Sequence, residues 1–175
     1  MKAVGEQVYI RLLGTDDVLD DYVKWMNDPE VTQYLESRWQ THTLKTTLEY
    51  IESLNRDKNN YLFGVFLNSD NTHIGNVKIG NIHPIHRFCD IGMTLGKKDN
   101  WAKGVGSEVL KLIEKIAFEE LNLNKIFGGI YADNIASFKM TQKCGWREAG
   151  RYEKHVFHKG EFVDVILVEK LIGRK

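Results

Sequence analysis

A short loop with two glycines, Asn-Trp-Ala-Lys-Gly-Val-Gly-Ser at residues 100–107, carries the first sign of chemistry in the sequence. Gly104 and Gly106 let the backbone turn tightly and approach a ligand without a Cβ in the way. The loop leads into a stretch whose apolar residues recur at helical spacing, so it would end at a helix N-terminus. The first amides of a helix lack intrahelical partners and lie at its positive end, an arrangement that binds phosphate.

Three better-known glycine motifs do not fit this loop. Residues 104–109 lack the third glycine of a dinucleotide-binding fingerprint, and the sequence contains no Gly-x-x-x-x-Gly-Lys-Ser/Thr of a P-loop. The Gly-x-Ser-x-Gly elbow of a serine hydrolase is also absent from the sequence. An ordinary tight turn before a helix would give the same two-glycine pattern, so the loop alone does not define a function.

A second signal is the stretch Asn-Ile-Ala-Ser-Phe-Lys-Met-Thr-Gln-Lys-Cys-Gly-Trp at residues 134–146. It follows residues 125–131, whose apolar run predicts a buried strand. Asn134 is a favourable helix cap, and Gly145 is placed to end that helix. The order of glycine loop, helix, strand, Asn-x-x-Ser, helix and Lys-x-Gly-aromatic resembles the GNAT superfamily of acetyl-CoA-dependent N-acetyltransferases.

A third stretch, Trp-Met-Asn-Asp-Pro at residues 25–29, resembles the RimJ/RimL-like branch of that superfamily, which includes the ribosomal-protein N-terminal acetyltransferases. The resemblance extends over residues 8–171 and is strongest over residues 91–146. It implies an acyltransferase that moves an acetyl group from acetyl-CoA directly to a primary amine, with no covalent enzyme intermediate. It also implies that acetyl-CoA is a cosubstrate and that no metal takes part.

The resemblance further implies where acetyl-CoA would bind. The pyrophosphate would lie over the glycine loop and the pantetheine arm along the strand before it, with the start of the second helix on the other side of the cofactor. The implied cofactor-binding residues are Met93, Thr94, Leu95, Trp101, Lys103, Gly104, Val105, Gly106, Ser107, Asn134 and Ser137. An amide hydrogen of the strand would polarise the thioester carbonyl, where negative charge grows during acyl transfer.

Amine acetylation needs a group that removes a proton, because a lysine-like amine titrates near ~10.4 and only its neutral form attacks. Asp90 stands in an acidic-x-Gly pattern with Gly92 that resembles many members of this branch, so it is the candidate general base or the residue that orders a water. Many members have a tyrosine at the position of Thr141, which would protonate the departing thiolate. Here a water, Ser137 or Tyr131 would serve as the acid, or the thiolate would leave without one.

The acceptor amine is open between two classes. The resemblance at residues 25–29 favours a protein N-terminal amine, whereas His-Ile-Gly-Asn-Val-Lys at residues 73–78 resembles relatives that act on nucleotide-linked amino sugars. Asp164 is either an exposed strand position or a carboxylate that holds the ammonium group of the acceptor. A third hypothesis, from another class, is a non-catalytic acyl-CoA-binding sensor or interaction module, since Thr141 replaces the common tyrosine.

Histidine spacing gives a rival hypothesis, a zinc site. A His-x-x-His at residues 83–86 with Cys89 nearby, and a second His-x-x-His at residues 155–158, would supply ligands if the two turns met. The paired-cysteine signatures of structural zinc sites are missing from the sequence. We therefore expect no metal.

Composition limits the function classes. The 175 residues are 42% hydrophobic and contain no linker-like segment, so we expect one domain over residues 1–175. Lysine plus arginine equals aspartate plus glutamate at 24 each, which disfavours nucleic-acid and membrane partners. The sequence has no signal-peptide pattern, no apolar run of membrane-spanning length and only two cysteines, so we expect a cytoplasmic protein. The oligomeric state is open, with a homodimer as one alternative.

The elements that would position these residues follow from hydrophobic periodicity. Strands are predicted at residues 8–13, 61–67, 74–82, 88–95, 125–131, 146–156 and 162–171, and helices at residues 18–26, 43–54, from 107 and from 134. Residues 34–39 have no clear period and predict a loop, which in the family forms one wall of the acceptor pocket. Together they predict an α/β (α+β) fold of the GNAT type, a mixed, mostly antiparallel twisted sheet of about seven strands flanked by about four helices.

Alternation along residues 88–95 divides the side chains of that strand between the two faces of the sheet. One face would carry Asp90, Gly92 and Thr94, and the other would carry Cys89, Ile91, Met93 and Leu95. Gly92 would leave room beside the backbone.

Overall fold

A computed structural model describes residues 1–18 and 20–173 and forms one continuous eight-stranded sheet with the strand order β1-β2-β3-β4-β5-β6-β8-β7. The strands are β1 (Lys2–Val4), β2 (Val8–Leu12), β3 (Tyr61–Leu67), β4 (His73–His83), β5 (Phe88–Leu95), β6 (Lys125–Tyr131), β7 (Arg147–His158) and β8 (Glu161–Leu171). Neighbouring strands are antiparallel except β5 and β6, which are parallel. The sheet is therefore mixed and mostly antiparallel, as predicted.

Five α-helices occur in the described part of the chain: α1 (Asp20–Met26), α2 (Pro29–Thr32), α3 (Leu44–Arg56), α4 (Val105–Lys115) and α5 (Ile135–Lys143). A π-helical turn, Ile116–Glu120, continues α4, and one 3-10 turn, Glu36–Trp39, lies in the segment predicted as a loop. Two elements were not predicted. Strand β1 has a single buried residue, Ala3, and α2 has only four residues, so neither is long enough to show a period.

The helices cover both faces of the sheet. On one face, α4 buries Val109 and Ile113 in the larger core, which also contains Cys89 of β5. On the other face, α1 and α3 contribute Trp25 and Ile51 to a second core against β3. Both faces of β3 are therefore covered, which explains why its sequence is apolar in nearly every position.

Capping residues fix where the two best-predicted helices begin. Thr43 Oγ1 accepts a hydrogen bond from the Thr46 amide at 3.2 Å at the start of α3. Asn134 Oδ1 accepts one from the Ser137 amide at 3.2 Å at the start of α5, and Gly145 adopts the left-handed φ of +80° after its end. Both caps and the glycine stop are confirmed.

The sheet opens between β5 and β6. Their parallel pairing runs only from Phe88 with Lys125 to Asp90 with Phe127. Beyond this point β5 stays paired with β4 as far as Leu95, and β6 stays paired with β8 as far as Tyr131. The two strands therefore separate in the middle of the sheet and leave a gap lined by backbone.

In the described residues, no helix has both the length and the apolar character that crossing a membrane requires.

Candidate active site

Three adjoining cavities surround the place where β5 and β6 separate, and Leu35 and Met93 line all three. The gap cavity, about 250 Å³, lies between the two strands and includes Gly92 and Gly129. The α3 cavity, about 540 Å³, lies between the sheet and α3. The α4 cavity, about 630 Å³, lies at the N-terminus of α4. Ligands entering from the two sides of the sheet would therefore meet at Met93.

The α4 cavity brings together most of the residues predicted to bind a cofactor. Three separate segments contribute: β5, the glycine loop and the start of α5. The predicted residues that line the cavity are Met93, Thr94, Leu95, Trp101, Gly104, Gly106, Ser107, Asn134 and Ser137. Two predicted residues do not line it, because the Lys103 side chain is exposed and the Val105 side chain is buried in the core.

The glycine loop has the conformation that its sequence requires. Gly104 is the residue before α4 and has a left-handed φ of +85°. A Cβ on Gly106 would lie 2.8 Å from Met140 Sδ, so α4 and α5 approach closely there. The first intrahelical bond of α4 runs from the Glu108 amide to the Gly104 carbonyl at 3.1 Å, so the amides of residues 105–107 precede it. These amides form the positive end of the helix beside the α4 cavity.

The backbone of β5 presents polar groups to the gap. Trp101 Nε1 donates a hydrogen bond to the Leu95 carbonyl at 2.8 Å. The Gly96 amide donates one to the carbonyl of Ile74, a residue of β4, at 2.8 Å. Backbone groups of successive strand residues point to opposite sides, so Gly96 faces β4 and Leu95 faces away from it. By the same alternation, the amide and carbonyl of Met93 face the gap.

The α3 cavity lies on the opposite face of β5 from α4. Gly92 and Thr94 line it, whereas Cys89 is buried in the core under α4, which confirms the predicted division of faces. A Cβ on Gly92 would have no atom within 4 Å, so this glycine leaves the predicted open space beside the strand. Gly92 lines both the gap cavity and the α3 cavity and therefore connects them.

A carboxylate that the sequence analysis missed stands at this junction. Glu36 lines both the gap cavity and the α3 cavity, and in the described residues it is the only carboxylate lining either of them. The Tyr131 hydroxyl donates to Glu36 Oε1 and accepts from Arg38 Nη1 at 2.8 Å. Burial, reinforced by the Glu36 hydrogen bond, raises the pKa of Tyr131. Nothing in the local spacing around residue 36 indicates a partner 95 residues away.

The two predicted catalytic residues occupy different surroundings. Asp90 is half-buried and its Oδ1 accepts a hydrogen bond from Asn81 Nδ2 at 2.7 Å; within residues 1–18 and 20–173 it lines none of the three cavities. Asp90 lies on the same face of the sheet as Gly92. The pKa of Tyr50, a residue of the α3 cavity, is raised chiefly by burial and also by the negative charge of Asp90. Ser137 lines the gap cavity and the α4 cavity. The roles of both residues stay predictions.

Thr141, the position at which the resemblance leads us to expect a tyrosine, lines the gap cavity. Its hydroxyl donates to the Phe138 carbonyl at 2.8 Å, inside its own helix. The Asp164 carboxylate also serves the backbone, since Oδ1 accepts from the Lys154 amide at 2.9 Å. Of the side chains predicted as alternatives for the acid, both Tyr131 and Ser137 line the gap cavity.

The histidine pairs do not assemble a metal site in the part of the chain that the structure describes. No group of three His, Cys, Asp or Glu side chains there is arranged to hold an ion. The His83 and His86 rings stack with centroids 4.3 Å apart, and His158 Nδ1 lies 2.6 Å from Asp133 Oδ2. Burial raises the pKa of Cys89 to about 12, so this thiol is a poor source of thiolate for a metal.

The chain belongs to the GNAT acetyltransferase family, because residues 7–147 match the family described as "Acetyltransferase (GNAT) domain". It is therefore an acyltransferase of the N-acetyltransferase type. The probable N-acetyltransferase YjcK of Bacillus subtilis is 34% identical over 121 residues, which cover 69% of this chain and 66% of YjcK. The acetyltransferase PseH of Campylobacter jejuni is 30% identical over 120 residues, which cover 69% of this chain and 71% of PseH.

A solved structure shares the fold over nearly the whole chain. The spermidine N-acetyltransferase from Vibrio cholerae, crystallised with CoA and spermine, superposes with a TM-score of 0.85 and 22% sequence identity. The superposition covers 95% of this chain and 96% of that chain. The predicted fold class is confirmed, including the mixed, mostly antiparallel sheet.

Proposed function

We propose that this protein transfers an acetyl group from acetyl-CoA directly to a primary amine, as a RimJ/RimL-like member of the family. The observation that carries the proposal is the opening of the sheet at β5 and β6. It joins the α4 cavity at a helix N-terminus to the α3 cavity on the other face, and the two meet at Met93. A thioester at this point would be reached by an amine from the opposite side.

The α4 cavity fits the phosphate end of acetyl-CoA. Gly104 and Gly106 line the cavity with backbone alone, so nothing projects between the ligand and the first amides of α4. These amides and the positive helix end favour a pyrophosphate. The exposed edge of β5 at Met93 and Leu95 would then hold the pantetheine arm, and the Met93 amide would stabilise the charge that develops on the thioester oxygen.

Two carboxylates divide the work on the acceptor in this proposal. Glu36 lies where the gap cavity meets the α3 cavity and would hold the incoming ammonium group. Asp90, two residues before Gly92 on the same face, would remove the proton or order the water that does so. Ser137 or Tyr131 would protonate the departing thiolate. Alignment of two reactants in general can be worth up to ~7 to 11 kcal/mol of the barrier.

The α3 cavity supports two acceptor classes. Its volume of about 540 Å³ suits either the first residues of a peptide or an amino sugar. Most of its polar lining consists of hydroxyl and amide groups, among them Thr46, Tyr50 and Asn76. These groups favour an acceptor that itself carries hydroxyls or amides.

The two cysteines of the chain are free and buried, which supports a reducing, cytoplasmic location.

The test is calorimetric titration with acetyl-CoA, followed by release of free thiol in the presence of peptide amines, amino sugars and polyamines. Binding together with thiol release supports the enzyme and identifies the acceptor class. Binding without release for every amine would instead favour the acyl-CoA-binding module. No binding of acetyl-CoA would overturn the proposal.

A further inference from the structure

The α3 cavity is lined by a residue with a buried hydroxyl that has no role in the proposed acetyl transfer. Thr47 is 4% exposed and lines the cavity, and its Oγ1 has no hydrogen-bond partner. In the part of the chain that the structure describes, no other buried side-chain oxygen or nitrogen lacks a partner. Buried polar groups are nearly always paired, and a rotation of the Thr47 side chain about χ1 would bring this hydroxyl to a polar ligand atom in the cavity.

A cation lies on the floor of the same cavity. Lys78 is a half-buried residue of β4 and pairs in register with Gly92, which has no side chain to cover it. Among the described residues, no carboxylate forms an ion pair with Lys78, and no other lysine or arginine lines the cavity. The pKa of Asp57 is lowered chiefly by its hydrogen bond from the Asn59 amide and also by the charge of Lys78, so Lys78 lies near this carboxylate without forming an ion pair with it. An ammonium group that no carboxylate contacts directly attracts an anion.

A third group, Asn76, is oriented by the half-buried His73. His73 Nε2 lies 2.9 Å from the Gly75 carbonyl and 2.9 Å from Asn76 Oδ1. A carbonyl oxygen only accepts, so Nε2 carries the hydrogen and Asn76 Oδ1 is its acceptor. Burial lowers the pKa of His73, which agrees with a neutral ring. The NH₂ group of Asn76, a residue that lines the cavity, is therefore turned away from the histidine and left to donate to a ligand.

From these three groups we infer that the α3 cavity binds an oxyanion of the acceptor, a carboxylate or a phosphate, through Lys78 Nζ, the Asn76 NH₂ group and the Thr47 hydroxyl. The inference rests on the proposed acetyl transfer, since it describes the far end of the same acceptor. Glu36 at the gap would hold the amine through Oε2, because its Oε1 accepts from Tyr131 and lies 3.5 Å from Arg38 Nη1. The cavity then presents a carboxylate at one end and Lys78 at the other. The acceptor is thus an amine that also bears a negative charge, and a polycation such as spermidine is disfavoured.

The test compares acceptors that differ only in the anion. Glucosamine 6-phosphate is paired with glucosamine, and glycylglycine with glycylglycinamide, so the two pairs distinguish phosphate from carboxylate. Spermidine is the oppositely charged probe. We expect kcat/KM, measured by thiol release, to be at least about tenfold higher for the anionic member of one pair. Calorimetric binding of the same probes to the CoA-saturated protein gives a readout that needs no turnover.

Variants locate the effect. Lys78→Gln should remove at least about tenfold of the preference for the anion, measured as the ratio of kcat/KM for the two members of a pair. Thr47→Val, which keeps the shape of the side chain, should weaken the anionic member severalfold. Lys45→Gln, the same substitution at an exposed residue of α3, should change neither. Thermal melting of each variant checks that the fold is retained.

Failure of this inference is distinct from failure of the proposed function. If both neutral members or spermidine are used or bound as well as the anionic probes, or if Lys78→Gln leaves the preference unchanged, the oxyanion site is overturned while acetyl transfer stands. If the anionic probes bind in a Lys78-dependent way but no thiol is released, the oxyanion site stands and the transfer proposal fails. If no probe binds and none is acetylated, the oxyanion site is overturned.

Discussion

Gly104 and Gly160 share a left-handed backbone but differ in their surroundings. Their φ angles are +85° and +92°, and a Cβ at either position would have no atom closer than 4.0 Å. Gly104 lines the α4 cavity before the first amides of α4, whereas Gly160 lies in the exposed turn between β7 and β8. The same substitution therefore imposes a left-handed φ on a residue with a Cβ at both sites, but only at Gly104 does it add a side chain at the α4 cavity.

Gly104→Asp should weaken acetyl-CoA binding by at least about tenfold more than Gly160→Asp, because it places a carboxylate beside the pyrophosphate. Calorimetric titration of both variants measures the difference. Their melting temperatures should fall by similar amounts, since a left-handed φ is imposed at both sites. Equal acetyl-CoA affinities in the two variants would contradict the proposal that the pyrophosphate binds at this loop.

Asp90 has the catalytic role that most needs a measurement. Asp90→Asn should lower kcat by about a hundredfold or more while acetyl-CoA affinity changes little, because the amide is no base. The asparagine keeps an oxygen that can accept from Asn81, so the fold should persist. Glu36→Gln is the companion variant and should act mainly on the KM for the amine. An unchanged rate in Asp90→Asn would make that carboxylate a structural residue.

The role of a residue could be predicted from sequence where its backbone conformation restricts which amino acids can occupy the position. Gly104 and Asn134 are examples, since a left-handed φ and a helix cap select glycine and asparagine. Glu36 and Thr47 could not be predicted in this way. Their importance comes from neighbours on other elements, and no local spacing encodes those contacts.

Among the elements, β5 and β6 determine the geometry of the site. They are paired at only three positions and then separate, which creates the gap at Gly92. The bounds of both strands match the prediction, because β6 is a nearly continuous apolar run and β5 has an alternating pattern. Their separation was not predictable from periodicity, since both strands remain paired on their other sides.

Gly92→Val should block the gap without harming the fold. The new side chain would enter open space, and a β-branched residue is favourable in a strand. We expect kcat/KM to fall by about tenfold or more, because small displacements of aligned reactants are costly. Gly150→Val on β7 is the control, since that glycine lines none of the three described cavities. Full activity of Gly92→Val would place the reacting groups elsewhere.

At the scale of the whole molecule, charged groups tie the last three strands of the sheet together. Glu169 of β8 is buried, and its carboxylate lies 2.5 Å from Lys125 Nζ on β6 and 2.6 Å from Arg147 Nη2 on β7. Lys125, and less strongly Arg147, lower the pKa of Glu169 below its usual value of 4.5. The three strands beyond the gap are therefore held as one unit, which keeps β6 in place while β5 diverges from it.

The lowered pKa of Glu169 predicts a pH-dependent stability. A carboxylate with a lowered folded-state pKa stabilises the fold above its unfolded pKa, and this contribution is lost as the pH falls through the folded value. Glu169→Gln should cost about 1–3 kcal/mol at pH 7, and the difference from wild type should shrink below pH 4.5. Urea unfolding across pH measures it, with the exposed Glu153→Gln as control. A cost that is the same at acid and neutral pH would contradict this account.

The measurement that tests the central claim most directly is the balance between thiol released from acetyl-CoA and acetylated amine formed, followed by mass spectrometry of the amine and of the protein. Direct transfer across the β5–β6 gap predicts one acetylated amine for each thiol and no acetyl group on the protein during turnover. Acetylated protein that passes its group to the amine would contradict direct transfer. Absence of thiol release above buffer for every amine would contradict the enzyme itself.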